Sequence, residues 1–143
     1  MSDLIAAVRP VQRALSGRAV ALGIAVAGAL GALSRWGLGQ VCETWFGPRF
    51  PYGTLAANLI GCFLLGAVME IGGQSRWLSG EMRLMLAVGF IGALTTFSTW
   101  EFETLHMARG GQVVLAAGNF AVNVFLGFLL LWAGARVAGG FLP

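Results

Sequence analysis

The sequence predicts an all-α integral membrane protein of four transmembrane helices, the third broken in mid-membrane. Three observations carry this reading. Only 10% of the 143 residues are charged and 57% are hydrophobic, where an ordinary soluble domain is about 25% charged. Apolar runs recur four times at the length of about 20 residues that a helix needs to cross the hydrocarbon core. A dense cluster of hydroxyl and aromatic side chains, Thr95-Thr96-Phe97-Ser98-Thr99-Trp100, then falls where the third run lies at bilayer depth.

Residues 1–18 are expected to form a short amphipathic or loose extension ahead of a membrane domain at 19–143. Arg9, Arg13 and Arg18 followed by an apolar stretch resemble a secretory signal on the surface. No small-residue cleavage site followed by a soluble domain comes next, however, because three more apolar runs do. The first span is therefore read as retained, at 19–41, followed by spans at 52–72, 82–107 and 112–138. Gly47 and Pro48 end the first, and Pro51 with Tyr52 suits the start of the second. Ser79 is placed to cap the third with Met82 at its third position, and Gly110 with Gly111 closes it. No connection is long enough to separate domains, so one bundle is expected.

Composition also excludes function classes. The net charge of +3 comes from nine scattered arginines with no lysine, which makes no patch for nucleic acid. Cys42 and Cys62 are isolated and fit neither a disulfide framework nor a metal spacing, so both read as inert packing residues.

The polar residues inside the spans carry the chemistry. Thr54 and Asn58 stand four apart and share one helical face, as do Asn119 and Asn123. A buried amide is costly in a bilayer unless hydrogen-bonded, and interhelical contact is its ordinary explanation. The alternative is a track of uncharged donors, Thr54, Asn58, Asn123, Ser98 and Thr99, which can hold an anion without the fixed charge that would trap it. Glu70, Glu101, Glu103 and His106 are expected toward span ends, which disfavours a proton path. At Thr95 to Trp100, interrupted backbone is tolerated only where it is buried or lines a cavity; the plainer expectation is hydroxyls bonding back to the preceding turn. Gly53, Ala57 and Gly61, and Gly23, Ala27 and Gly31, recur at four-residue spacing and read as close-packing rows. Arg35 continues the second row near the end of its span, as an interface anchor or as positive potential for an anion.

Three stretches together resemble the Fluc (CrcB) family of fluoride channels: Gly31-Ala32-Leu33-Ser34-Arg35-Trp36, Pro51 through Gly61 (PYGTLAANLIG), and Gly89 through Trp100 (GFIGALTTFSTW). The last is the most specific, and the resemblance spans residues 19–138. It implies a homodimer of two oppositely inserted subunits, crossing at the breaks of their third helices, in a bacterial plasma (inner) membrane. It also implies two fluoride pathways along the dimer interface and one structural sodium ion at the centre, held by the backbone carbonyls of Gly92 and Thr95. The pathway residues it implies are Phe97, Asn58, Thr54, Ser98, Thr99 and Arg35. Trp100 replaces a second phenylalanine, and either its ring edge or its indole N–H could face the ion. Asn119 and Asn123 stand where the family pattern has a tyrosine and a serine, and donor chemistry survives at 123.

Arginines flanking the spans number six on the N-terminal side (9, 13, 18, 76, 83 and 136) against three on the other (35, 49 and 109). Without Arg9 and Arg13 the bias shrinks to four against three, compatible with dual insertion. The function expected is passive fluoride efflux without catalysis. A small proton-coupled multidrug-type exporter would need a carboxylate inside the first span. A haem-anchoring or structural membrane subunit would need intramembrane histidines, and His106 is the only histidine.

Overall fold

A computed structural model describes residues 15–74 and 78–140. Arg9, Arg13 and Arg76, and most of the expected extension, lie outside the described residues. Among those described, four helical spans are long and apolar enough to cross a membrane. Helix α1 is Gly17–Phe46, capped by Ser16, whose Oγ accepts the Ala19 N–H at 3.3 Å. Helix α2 is Tyr52–Gln74. The third span is divided into α3, residues 80–94, and α4, Phe97–Arg109. Helix α5, Val113–Gly140, is the fourth span.

Each boundary has a local cause. Gly47 ends α1 with φ 76°, a conformation costly for residues with a side chain. Ser79 caps α3 by accepting the Met82 N–H at 3.2 Å, as its spacing predicts. Gly111, with φ 80°, turns the chain between α4 and α5. Helix α1 runs five residues beyond the expected Val41, because the amphipathic end Cys42 to Phe46 continues the helix past the apolar run. Arg35 therefore lies about three turns inside the helix rather than near its end.

The break in the third span is real and abrupt. Thr95 (φ −78°, ψ 154°) and Thr96 (φ −149°, ψ 112°) are extended between two helical segments. The back-bonding expectation holds as well: Thr95 Oγ1 donates to the Ile91 carbonyl at 3.0 Å. Its hydroxyl thus finishes α3, while Thr96 Oγ1 starts α4 by accepting the Thr99 N–H at 3.3 Å. Two stretches, Met85–Ile91 in α3 and Val122–Leu126 in α5, are wound in wider π-type turns, a form common at functional sites.

Packing follows the small residues. A methyl group on Gly66 would run into the Leu131 carbonyl, and one on Gly134 into that of Phe63, so α2 and α5 touch backbone to backbone. The pairing Asn58 with Asn123, then Gly66 with Leu131, ascends along both chains, so the two helices run parallel. Helix α1 lies against α3, where Gly31 meets the Phe90 carbonyl and Gly89 meets Ala27. Helix α4 packs on the first half of α5. The outer faces carry Leu22, Val114, Phe125 and Phe128, all exposed, as expected where the surroundings are lipid or a second apolar surface.

Candidate functional site: a polar cavity at the helix break

The extended backbone at Thr95 and Thr96 frees polar groups that a continuous helix would consume. A regular helix would give the Thr96 N–H to the Gly92 carbonyl. Here it donates to Asn58 Oδ1 at 2.8 Å, and Asn58 Nδ2 returns a bond to the Thr96 carbonyl at 3.3 Å. Asn58 thus stands in for both a helical donor and a helical acceptor at the break. The Gly92 carbonyl is left at the C-terminal, negatively polarised end of α3.

From Asn58 a chain of amides and hydroxyls runs into the bundle. Asn58 Nδ2 donates to Asn123 Oδ1 at 3.0 Å. Asn123 Nδ2 donates to the Asn119 carbonyl at 3.0 Å and to its side-chain Oδ1 at 3.1 Å. Asn119 Nδ2 then donates to Thr104 Oγ1 at 2.8 Å, and Thr104 donates to the Trp100 carbonyl at 2.7 Å. Asn119 is 1% exposed, so its four polar contacts are what make its burial tolerable.

A cavity of about 400 Å³ lies beside this chain, lined by Asn58, Asn123, Phe97, Trp100, Gly92 and Thr95 among others. The structure thus brings together six of the residues singled out from sequence. Phe97 and Trp100 meet edge to face, with centroids 5.3 Å apart. The indole question is settled in part: Trp100 Nε1 donates to the Asn119 carbonyl at 3.3 Å and its ring stacks on Phe120. Its N–H is occupied, and the ring is what it offers the cavity.

Thr54 belongs to a second cavity of about 610 Å³, bounded by the α1–α2 connection and the end of α4, with Arg49, Glu103 and His106 in its wall. The two cavities are stacked along α2, since Thr54 lies about one turn before Asn58. Thr54 Oγ1 donates to Glu103 Oε1 at 2.9 Å, and Glu103 Oε2 is buried without a partner. This corrects two expectations: the Thr54 proton is already given to a carboxyl, and Glu103 faces inward onto α2 rather than serving as a span-end charge. Ser98 is exposed, Thr99 accepts from Thr96 Oγ1 at 2.9 Å, and neither lines either of these two cavities. Arg35 also lines neither.

Sequence reasoning missed Thr96, Thr104, Glu103 and the role of Asn119. Thr96 was legible as a cap three residues before Thr99, and Thr104 as a hydroxyl one turn after Trp100. Nothing local marks Glu103 as the partner of Thr54.

Comparison with known proteins bears on this geometry. Residues 22–135 match the family of CrcB-like protein, Camphor Resistance (CrcB). A relative from Acidobacterium capsulatum is 46% identical over 116 residues, covering 81% of this chain and 93% of the relative. Others from Dehalococcoides mccartyi (45% over 112 residues, 78% and 86%) and Geotalea uraniireducens (42% over 115 residues, 80% and 93%) are similar in extent. All three bear the name fluoride-specific ion channel FluC. The match reaches into all four spans and takes in the broken third helix and the amides Asn58, Asn119 and Asn123, and the chain belongs to the CrcB family of membrane proteins.

Proposed function

We propose that this protein is a passive fluoride channel, not an enzyme, that lets fluoride leave the cell across a bacterial plasma (inner) membrane. The observation that carries the reading is the cavity at the helix break, where amide groups and aromatic side chains converge at mid-span without a fixed positive charge in the lining. The FluC name borne by relatives 39–46% identical supports the same conclusion.

Fluoride is held tightly by water, so a path that strips its hydration must offer replacement donors, yet none strong enough to retain it. Asn58, Asn123, Ser98 and Thr99 carry such groups, and the positively polarised edges of Phe97 and Trp100 can complete the shell. Arg35 adds positive potential near the path. The working form is a homodimer of oppositely inserted subunits, in which the exposed Phe97 and Ser98 gain a second wall. A structural sodium ion fits the residues present. The Gly92 carbonyl has lost its helical donor, Thr95 follows at the end of α3, and hard cations favour oxygen ligands. When bound, such an ion would tie two subunits together at their breaks; this chain supplies the carbonyls of Gly92 and Thr95.

The deciding experiment is fluoride efflux from liposomes, followed with a fluoride electrode. Purified protein should release fluoride far faster than protein-free liposomes. Equal rates from a folded preparation would end the channel reading.

A further inference from the structure

We propose that Asn119 and Thr104 are positioning residues for anion passage, fixing which end of the Asn123 amide faces Asn58. The inference rests on the channel reading above and concerns how its donors are presented. Every hydrogen bond in the chain points the same way: Asn58 Nδ2 to Asn123 Oδ1, Asn123 Nδ2 to Asn119, Asn119 Nδ2 to Thr104 Oγ1, and Thr104 Oγ1 to the Trp100 carbonyl. The direction is held at both ends, by Asn58 Nδ2 and the Asn119 carbonyl facing Asn123 and, at the far end, by Thr104. Thr104 gives its proton to its own helix, so its oxygen can only accept from Asn119. Asn119 must then turn its Oδ1 to Asn123, and Asn123 its Oδ1 to Asn58.

In this polarity both Asn58 Nδ2 protons are taken, by the Thr96 carbonyl and by Asn123, and the cavity presents no free amide donor there. Reversing the Asn123 amide changes this. Asn58 cannot turn, because its Oδ1 holds the Thr96 N–H. A reversed Asn123 would therefore aim its own N–H at that of Asn58, and two donors would converge where an anion can sit between them. Reversal costs the bonds to Asn119 and, for a fully paired chain, requires the Thr104 proton to leave the Trp100 carbonyl. The anchor thus restores the acceptor polarity after the anion has passed, which favours release.

The sign of the effect follows. Thr104→Val leaves Asn119 Nδ2 without its acceptor, which weakens the bias toward the observed polarity while the Asn119 carbonyl still holds part of it. A larger share of channels then stands ready for the anion, and apparent affinity rises as that share does. In liposome efflux measured against internal fluoride, Thr104→Val should lower half-saturating fluoride about fivefold, the factor one neutral hydrogen bond makes. Its maximal rate should fall, because release loses its restoring force. Thr104→Ser, which keeps the hydroxyl, should return both to within about twofold of the native values, on the same argument. A residue that merely holds the bundle together would lower the maximal rate with half-saturation unmoved, and that result, or a raised half-saturation, overturns the proposal.

The native protein supplies an independent arm should Thr104→Val fail to fold. On addition of sodium fluoride, and not sodium chloride, the side-chain amide resonances of Asn119 and Asn123 should shift together with those of Asn58. Fluoride shifts confined to Asn58, or absent in a conducting preparation, overturn the proposal. Native protein that releases no fluoride at all overturns the channel reading itself, which the efflux control reports separately.

Discussion

Helices α2 and α5 run side by side and meet through two stretches of opposite chemistry. In the second half, Gly66 and Gly134 bring backbone onto backbone, and a methyl group has no room on either side. In the first half, Asn58 and Asn123 meet through amides beside an open cavity. The dry half needs no side-chain chemistry, because dispersion and close approach suffice in lipid, where apolar burial gains little. The polar half does not pack that tightly, because its helices are held apart by two amides at hydrogen-bond distance beside a cavity. The dry half works as a clamp that holds two amides at hydrogen-bond distance without filling the space between them.

Breaking the clamp should have the largest effect. Gly134→Val drives branched carbon into the Phe63 carbonyl and cannot be relieved by a rotamer, since the obstruction is main chain. Overpacking in a well-packed core costs about 1–3 kcal/mol where side chains can yield, so about 3 kcal/mol or more is expected here. The measurement is the yield of monodisperse protein in detergent and its thermal unfolding. A variant as stable as the native chain would show that the glycine contact is not what holds α2 to α5.

Striking the polar half should leave the fold and remove the flux. Asn58→Asp keeps the size of the side chain and its bond from the Thr96 N–H, but sets a carboxylate against the Thr96 carbonyl and Asn123 Oδ1. A carboxylate donates nothing to an anion and repels it, and with a barrier raised by about 3 kcal/mol, at 1.4 kcal/mol per decade, fluoride efflux should fall by about a hundredfold or more. Native-like efflux from this variant would remove Asn58 from the path.

The second cavity gives a gentler test of the same contrast. Thr54→Val deletes the one bond to Glu103, whose other oxygen already lacks a partner. Leaving a buried polar group unsatisfied costs about 1–3 kcal/mol. The loss should be smaller when Glu103→Gln is already present, because a neutral amide can reach other partners. A double-mutant cycle on unfolding free energy tests this coupling, and additive losses would mean that the Thr54–Glu103 contact carries no energy of its own.

The four spans were legible in the sequence because hydropathy is a one-dimensional signal, whereas the clamp was not, because Gly66 and Gly134 stand outside the four-residue rows of Gly53, Ala57 and Gly61 and of Gly23, Ala27 and Gly31. The break was legible for a related reason, since Thr95 and Thr96 stand in an apolar run that gives hydroxyls nothing else to do. Asn58 and Asn123 were found by the same logic of buried amides. The direction of the amide chain was not, because it depends on Thr104 receiving Asn119 across a turn between two helices. The Thr54–Glu103 pair was hidden more thoroughly: the two residues are 49 positions apart and each is unremarked by its neighbours. Spacing alone also put Arg35 near a helix end, because the apolar run stops before the helix does.

Ser98 offers the smallest effect and the finest discrimination. It sits on the first turn of α4, exposed, next to Phe97 and outside both cavities of its own chain. If a second subunit completes the path at that surface, the hydroxyl acts only there. Ser98→Ala should then change stability by no more than about 0.5 kcal/mol, as surface substitutions do, while slowing fluoride efflux by about three- to tenfold, the worth of one hydrogen bond of about 0.5–1.5 kcal/mol. Stability is read from thermal unfolding and flux from the liposome assay on the same preparation. Loss of both together would mean that Ser98 supports the fold of its own helix, and loss of neither would place the ion path away from this face of α4.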